Sequence, residues 1–174
     1  GILLRSADVY QQGLFLRDLF TFFEMEPRTA SPAHPVPFPR PIREGVVFEN
    51  VGFRYPDSEA WALRNVSLRI GAGERVAPVG GNGAGKTTLV KLLARLYDPT
   101  EGRILLDGVD IREHDVDDIR RAIGVIFQDF VRYDLLVREN IAVGQIDAID
   151  DQSRIVQAAE MSLADSVVAG LESG

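Results

Sequence analysis

The run Gly80-Gly81-Asn82-Gly83-Ala84-Gly85-Lys86-Thr87, followed by Thr88, fits G-x-x-x-x-G-K-[ST]. It constrains the fold more than any other stretch, because such a loop works only between a strand and a helix. A loop wrapped round a polyphosphate must aim successive backbone N–H groups inward. Only glycine takes the φ > 0 turns and the close ligand approach at little cost, and Gly80, Gly83 and Gly85 supply that freedom. The helix that follows adds unpaired N–H groups and the positive end of its dipole. Lys86 supplies a mobile ammonium for the β/γ-phosphates, Thr87 a hydroxyl for Mg²⁺, and Thr88 a donor for an α-phosphate oxygen. The alternative is a glycine-rich turn that happens to precede Lys-Thr. With Gly at about 7% of residues, the four specified positions coincide by chance in well under about one chain in fifty of this length. The flanks reduce this further. Arg75 to Val79 reads as a short strand, and Leu89, Val90, Leu92, Leu93 and Leu96 fall on one helical stripe.

The 174 residues, 45% apolar with net charge −7, fit one ordinary domain with attached pieces. That acidic balance gives no global attraction to nucleic acid or anionic lipid. Lysine occurs only at 86 and 91, so a lysine inside the glycine loop is the more telling, while Lys91 reads as a solvated helix position. There is no cysteine, which excludes disulfides and thiolate metal sites and suits a reducing compartment. His34, among prolines, and His114, among acids, are isolated and read as solvated.

Three pieces are expected: 1–25, 26–43 and 44–174. In the first, Leu16, Leu19, Phe20 and Phe23 keep helical spacing, while Arg5, Asp8, Gln12 and Asp18 interrupt the apolar surface. The longest uncharged run, Val9 to Leu16, falls far short of the ~20 residues that span a bilayer. This is an amphipathic helix, packed either on its own domain or on a partner surface. The chain starts with Gly and shows no signal-peptide pattern, so it is expected to begin inside a longer protein. Residues 27–43 hold six of the nine prolines. That density favours an extended, semi-rigid spacer, with a ligand for an SH3-like module as the other option.

From Val46 the pattern turns to strands: VVFENVGFRY alternates, Asn65 to Ile70 gives a second strand, and Gly71 and Gly73 turn the chain. GRILLDG reads as a strand ending in an Asp107-Gly108 turn. Asp115 to Arg121 is a short charged helix, Ile123 to Phe127 a buried-strand run, and Asp150 to Met161 a helix with Asp150 and Asp151 at its N-terminus. Antiparallel strands first, then strand, P-loop and helix, imply an α/β P-loop NTPase core with an antiparallel β-subdomain. Asp107 is read as turn chemistry, Asp110 as a surface charge and Asp129 as loop chemistry, none as a metal carboxylate.

The segments FENVGFRYP, ALRNVSLRI, GERVAPVGGNGAGKTTLVKLLARLYDPTEGRILLDGVDI, IGVIFQDF and VRENIAVG, in this order, resemble the front half of the ATP-binding domain of an ABC transporter. The resemblance runs from about residue 44 to the end. It implies that Tyr55 is the aromatic that stacks on adenine, which a ring face does without reading much sequence. It implies that Gln128 is the glutamine that reaches Mg²⁺ and the attacking water and senses the transport domain, a role suited to an amide's acceptor and donors. By themselves these two are a half-buried strand tyrosine and a strand end. The resemblance extends the ATP contacts over Gly80, Gly81, Asn82, Gly83, Ala84, Gly85, Lys86, Thr87 and Thr88, with Mg²⁺ at Thr87 and Gln128 and with Lys86 and Gln128 in the chemistry. A helix and short linker fused ahead of the domain match the exporter type. Residues 1–25 would then be the cytoplasmic end of the last transmembrane-domain helix, and Phe127 to Ile141 the part docking beneath transmembrane loops. The implied setting is the cytoplasmic face of the membrane, with a second ATP-binding domain joined head to tail in a homo- or heterodimer and no nucleic acid.

Three readings follow: part of an exporter subunit, a soluble ABC-type ATPase of DNA repair or translation, and a non-catalytic nucleotide-binding remnant. The sequence stops before an LSGGQ-type signature, an Asp-Glu-ending strand and a switch histidine. Phosphoryl transfer depends on all of these, so the stretch present is expected to bind ATP without turning it over. Strands expected beside the P-loop strand are also missing, which leaves an apolar edge and a marginal or aggregation-prone fragment. Leu136 replaces a commonly hydroxylated position, and Gly81 mildly loosens the loop. Pro78 stands where the family has an aliphatic residue, and proline is normally confined to strand edges or bulges. On this reading Pro78→Leu raises the melting temperature and tightens ATP binding; no change in either by calorimetry removes Pro78 as a defect.

Overall fold

The computed structural model describes residues 13, 15–25, 27, 29–127 and 133–171. Strand β1 (Gly45–Arg54) lies between β2 (Trp61–Gly71) and β3 (Glu101–Leu106), and β4 (Val109–Asp110) closes the far edge, all neighbours antiparallel. Simple alternation along β1 would put Phe48 and Val51 on opposite faces. Both are buried, with Phe53. The register explains why: Phe48 pairs with Leu68 but Val51 with Val66, and Glu49 pairs with Arg103 but Gly52 with Glu101. One extra residue sits in β1 against both partners, a β-bulge that resets the phase. Asn50 occupies it at φ 49°. Its N–H donates to Ser67 Oγ at 3.0 Å, and the Ser67 hydroxyl donates to Asn50 Oδ1 at 3.2 Å. On the other side Gly102, at φ 73°, lies so close to the Glu49 and Asn50 carbonyls that a Cβ would collide with them.

The face so aligned forms the core: Phe48, Val51, Phe53, Leu63 and Ile104 from the strands. Leu92 of α2 (Lys86–Leu93), Ile111 of a 3₁₀ turn (Ile111–Glu113) and Ile119 of α3 (Val116–Ala122) cover it. Emptying a site such as the fully buried Ile119 by substitution with Ala costs about 2–5 kcal/mol. The expected stripe on α2 is narrower than the spacing implies: Leu92 is buried, Leu89 and Leu93 partly so, and Val90 and Leu96 are each 37% exposed.

The Asp107-Gly108 turn is present, with φ 47° and 81°, the doubly left-handed geometry of a two-residue hairpin. Asp107 does more than turn the chain. Its carboxylate accepts the backbone N–H groups of Arg43, Glu44 and Gly45 at 2.8, 2.9 and 2.9 Å, fixing the entry into β1. Asp110 is half-buried rather than a free surface charge: it caps the 3₁₀ turn and pairs with Arg112 at 2.7 Å.

Two expected strands are not formed. Residues 74–81 and 123–127 join no ladder and no helix, because among the described residues no strand lies beside them to pair with. Ile126, in the run expected to be a buried strand, is 95% exposed, and Val79 is 96% exposed. Pro78 lies in the first of these segments, so its missing N–H removes no ladder bond here.

Residues 15–23 form helix α1. Phe15, Phe20, Phe22 and Phe23 are all more than 60% exposed, so α1 buries no apolar stripe. No helix among the described residues is long and apolar enough to cross a membrane.

The described residues up to Ile123 make one compact unit, and those from Gly124 a second. The second consists of α4 (Val137–Ala142), a 3₁₀ stretch (Val143–Ala148), α5 (Gln152–Met161) and α6 (Asp165–Val168). Asp151 caps α5 through the Arg154 N–H at 3.2 Å, as its position predicts. Helix α4 starts with half a capping box: the Leu136 N–H donates to Glu139 Oε2 at 2.9 Å, but leucine has no side-chain acceptor to return the bond.

Two outcomes follow. Leu136→Ser supplies the missing acceptor and stabilises the second unit by about 0.5–1 kcal/mol, seen as a higher denaturation midpoint. The Arg43 N–H, then those of Gly45 and Glu44, hold the Asp107 carboxyl below the ordinary carboxylate value. A depressed native value stabilises above the unfolded value and loses that effect as pH falls through the native one. Asp107→Asn, which keeps the turn, therefore lowers the melting temperature at pH 7, and the gap to wild type closes as pH falls from the ordinary carboxylate range through the depressed native value.

Candidate functional site

Helix α2 begins at Lys86, directly after Gly85 at φ 82°, and Gly83 in the same loop has φ 79°. Two left-handed residues two apart turn the loop back over the helix start. Gly85 is required sterically as well: a Cβ there would strike the Leu63 side chain and the Ala62 carbonyl of β2. The ALRNVSLRI strand is thus the wall against which the loop is set. A Cβ at Gly80 would crowd the Ala84 methyl, while one at Gly81 or Gly83 would meet nothing within 4 Å.

The first i→i−4 bond of the helix runs from Leu89 N to Gly85 O at 3.0 Å, so the N–H groups of Lys86, Thr87 and Thr88 have no helical acceptor. No side chain caps this end and no acid lies in its first turn. The Lys86 ammonium donates to the Gly80 and Gly81 carbonyls, both at 2.7 Å. Residues 80–84 and Thr87 are exposed. A cation, a row of free N–H groups and open backbone without a carboxylate form a site that suits a polyphosphate.

Tyr55, just past β1, is brought to this helix. Its Oη lies 3.2 Å from Thr88 Oγ1, and Thr88 is only 5% exposed. The ring packs edge-on against Phe53 at 5.0 Å and Tyr97 at 5.5 Å between centroids. Lys91 Nζ lies 5.5 Å from the Tyr55 centroid, so Lys91 is not the plain solvated position its place on α2 implies. Tyr97 was not legible as a site residue, because its type and spacing assign it no role and only the fold brings it beside Tyr55. Gln128 and Asp129 lie outside the described residues. Among the described residues no group of three or more His, Asp or Glu is placed to hold a metal.

In the second unit an open groove of about 950 Å³ is walled by Leu136, Ile141, Ile155, Val156, Ala159 and Val168, with Arg138 and Glu160 among its polar lining residues.

Comparison with known proteins agrees with this geometry. Residues 63–171 match the family described as ABC transporter. The subtilin transport ATP-binding protein of Bacillus subtilis is 38% identical over 165 residues, covering 95% of this chain and 26% of that protein. The mitochondrial iron–sulfur clusters transporter of Saccharomyces cerevisiae is 38% identical over 157 residues, 89% of this chain and 22% of the relative. A bacterial Atm1-family ABC exporter solved with ATP bound superposes with a TM-score of 0.81 at 36% identity, over 94% of this chain and 28% of that one. The chain thus spans about a quarter of the length of these relatives. With a P-loop set against an antiparallel sheet and a solved ABC exporter among the proteins it resembles, the chain belongs to the ABC transporter family.

Proposed function

We propose that residues 80–88 hold the triphosphate of ATP with Mg²⁺, and that in the whole protein this binding, followed by hydrolysis, drives export across a membrane. The observation that carries the reading is the Lys86 ammonium folded onto two carbonyls of its own loop. A phosphate oxygen gives this cation an ionised acceptor in place of neutral ones, which adds a charge–charge attraction the carbonyls do not supply. The free N–H groups of Lys86, Thr87 and Thr88 converge on the same point, helped by the helix dipole. Mg²⁺ would be held by the Thr87 hydroxyl and by Gln128, and it would supply positive charge against the negative charge of the phosphates.

Tyr55 offers an aromatic face for adenine. Its hydroxyl, held at Thr88, fixes that face relative to the start of α2, so base and phosphate positions are set by one helix. The three-part organisation at 1–25, 26–43 and 44–174 belongs to this reading, with the first part ending the transmembrane domain. A second ATP-binding domain, joined head to tail with this one as the family resemblance implies, belongs to the same reading. The apolar groove of the second unit receives a cytoplasmic loop of the transmembrane domain, which sets the protein at the cytoplasmic face of the membrane.

The direct test is equilibrium dialysis with MgATP on wild type and Lys86→Ala. Losing a charged hydrogen-bond partner weakens binding by about tenfold or more. Equal affinity removes Lys86 from the site.

A further inference from the structure

The proline-rich stretch is not a free spacer. Residues 29–38 lie along the side of the first unit opposite the phosphate loop's end of α2, and they are tied there by named bonds. Arg95 is the centre of this arrangement. It follows the last residue of α2's C-terminal cap, Ala94, and sits at φ 48°, an uncommon conformation for a long side chain. The residue is 2% exposed. Its guanidinium fork donates to three groups: Asp98 Oδ1 at 3.2 Å from Nε, the His114 carbonyl at 2.9 Å from Nη1, and the Ala30 carbonyl at 2.9 Å from Nη2. Arg95's own carbonyl accepts from Arg120 Nη2 at 2.9 Å, and that nitrogen also donates to Thr29 Oγ1 at 3.0 Å.

The rest of the stretch is held on the same neighbours. Ser31 Oγ accepts the first free N–H of α3, from Val116, at 3.0 Å. Val36 pairs in parallel with His114: its N–H donates to the Glu113 carbonyl at 2.8 Å and its carbonyl accepts from His114 Nδ1 at 2.9 Å. Because a carbonyl only accepts, Nδ1 carries the proton. His114 is 1% exposed, contrary to the solvated reading, and its Nε2 has no partner among the described residues. Phe38 stacks edge-on to that ring at 5.9 Å and packs on the core.

We propose that residues 29–38 act as a docked strap and that Arg95 is a positioning residue which couples docking of the strap to nucleotide binding at the other end of α2. The helix has eight residues, about 12 Å long at 1.5 Å per residue. It moves as a rod. The phosphate ligands sit on its first turn and Arg95 follows its last. A shift of the rod on phosphate binding changes the distances from a buried fork to fixed carbonyls, and an unpaired buried guanidinium N–H is strongly disfavoured. The two ends therefore share one free energy, and coupling runs equally in both directions. Arginine is needed for this, because lysine has no planar fork to reach the Ala30 and His114 carbonyls together. The strap continues N-terminally towards α1, so it links the nucleotide site to the helix that precedes the domain.

The nucleotide half of this inference rests on the ATP-binding reading above; the docking half stands on the bonds alone. The prolines supply a clean probe. Pro35 and Pro37 flank Val36 and have no amide, so hydrogen exchange in that tripeptide reports on the Val36 N–H alone. Exchange is measured in the full-length protein with and without MgATP, for wild type, Arg95→Lys and the strap-side double variant Thr29→Val/Ser31→Ala, which leaves α2 untouched. The expected result has three parts. Without nucleotide, the Val36 amide exchanges at least about tenfold faster in both variants. MgATP changes Val36 exchange in wild type. Both variants shift the MgATP dissociation constant in the same direction, with Lys86 still in place.

Unchanged Val36 exchange in the nucleotide-free variants overturns the docking. Faster exchange with an unchanged dissociation constant, or wild-type exchange indifferent to MgATP, overturns the coupling. If wild type binds no MgATP, the ATP-binding reading fails and with it the coupling, while the nucleotide-free comparison still decides the docking. Should Arg95→Lys not fold, the strap-side variant decides both docking and coupling in its place.

Discussion

The close approach of Gly85 to β2 is the contact on which the rest of the site depends. A left-handed residue without a Cβ lies against the Ala62 carbonyl and the Leu63 side chain, and Leu63 is itself part of the core. Loop position is thereby set by sheet position. Any larger residue would have to push the start of α2 away from the sheet, carrying Lys86, Thr87 and Thr88 with it. The sheet's own register is equally constrained. The Asn50 bulge brings Phe48 and Val51 to one face, and the same core then receives Leu92 from the middle of α2. A helix fixed at Gly85 by exclusion and at Leu92 by burial has little freedom to tilt. That rigidity lets a single helix position Tyr55, the glycine loop and a buried arginine.

Much of this was legible because the signals are local. Gly83 and Gly85 take the positive φ expected of the loop, although Gly80 does not, Asp107-Gly108 is a hairpin turn by its chemistry, and Asp115 and Asp151 sit where N-caps belong. The alternation in VVFENVGFRY located β1 but not its bulge. The clue to the bulge was Asn50, a residue type that tolerates left-handed geometry, yet nothing local distinguishes it from any surface asparagine.

The failures share a cause: they concern residues whose environment comes from far along the chain. His114 looked solvated among acids, yet its ring is covered by Val36 and Phe38, nearly eighty residues earlier in sequence. Lys91 looked like helix surface until Tyr55 was placed beside it. Residues 74–81 and 123–127 have strand composition, but composition states only what a segment could pair with. A ladder needs a neighbour, and among the described residues neither segment has one. The proline-rich stretch failed in the opposite direction. Proline does exclude helix and central strand, but it leaves carbonyls free to accept, and the Ala30 and Val36 carbonyls are the groups that hold the stretch in place.

The charged side chains at both ends of α2 are therefore paired by the chain itself before any ligand arrives. At the N-terminus, Lys86 is bound by the Gly80 and Gly81 carbonyls, so a phosphate exchanges one set of bonds for another instead of pairing an idle charge. The net gain is the difference between a charged and a neutral acceptor, smaller than the bond strength alone implies. At the C-terminus, Arg95 holds two carbonyls and a carboxylate, and it cannot leave them without exposing a buried cation to apolar surroundings. The two ends differ in what replaces the lost partner. Exposed loop carbonyls released by Lys86 find water at once, whereas the donors of Arg95 have no such substitute. Exchange at the phosphate end is thus the easy step, and resistance to moving the helix resides at the strap.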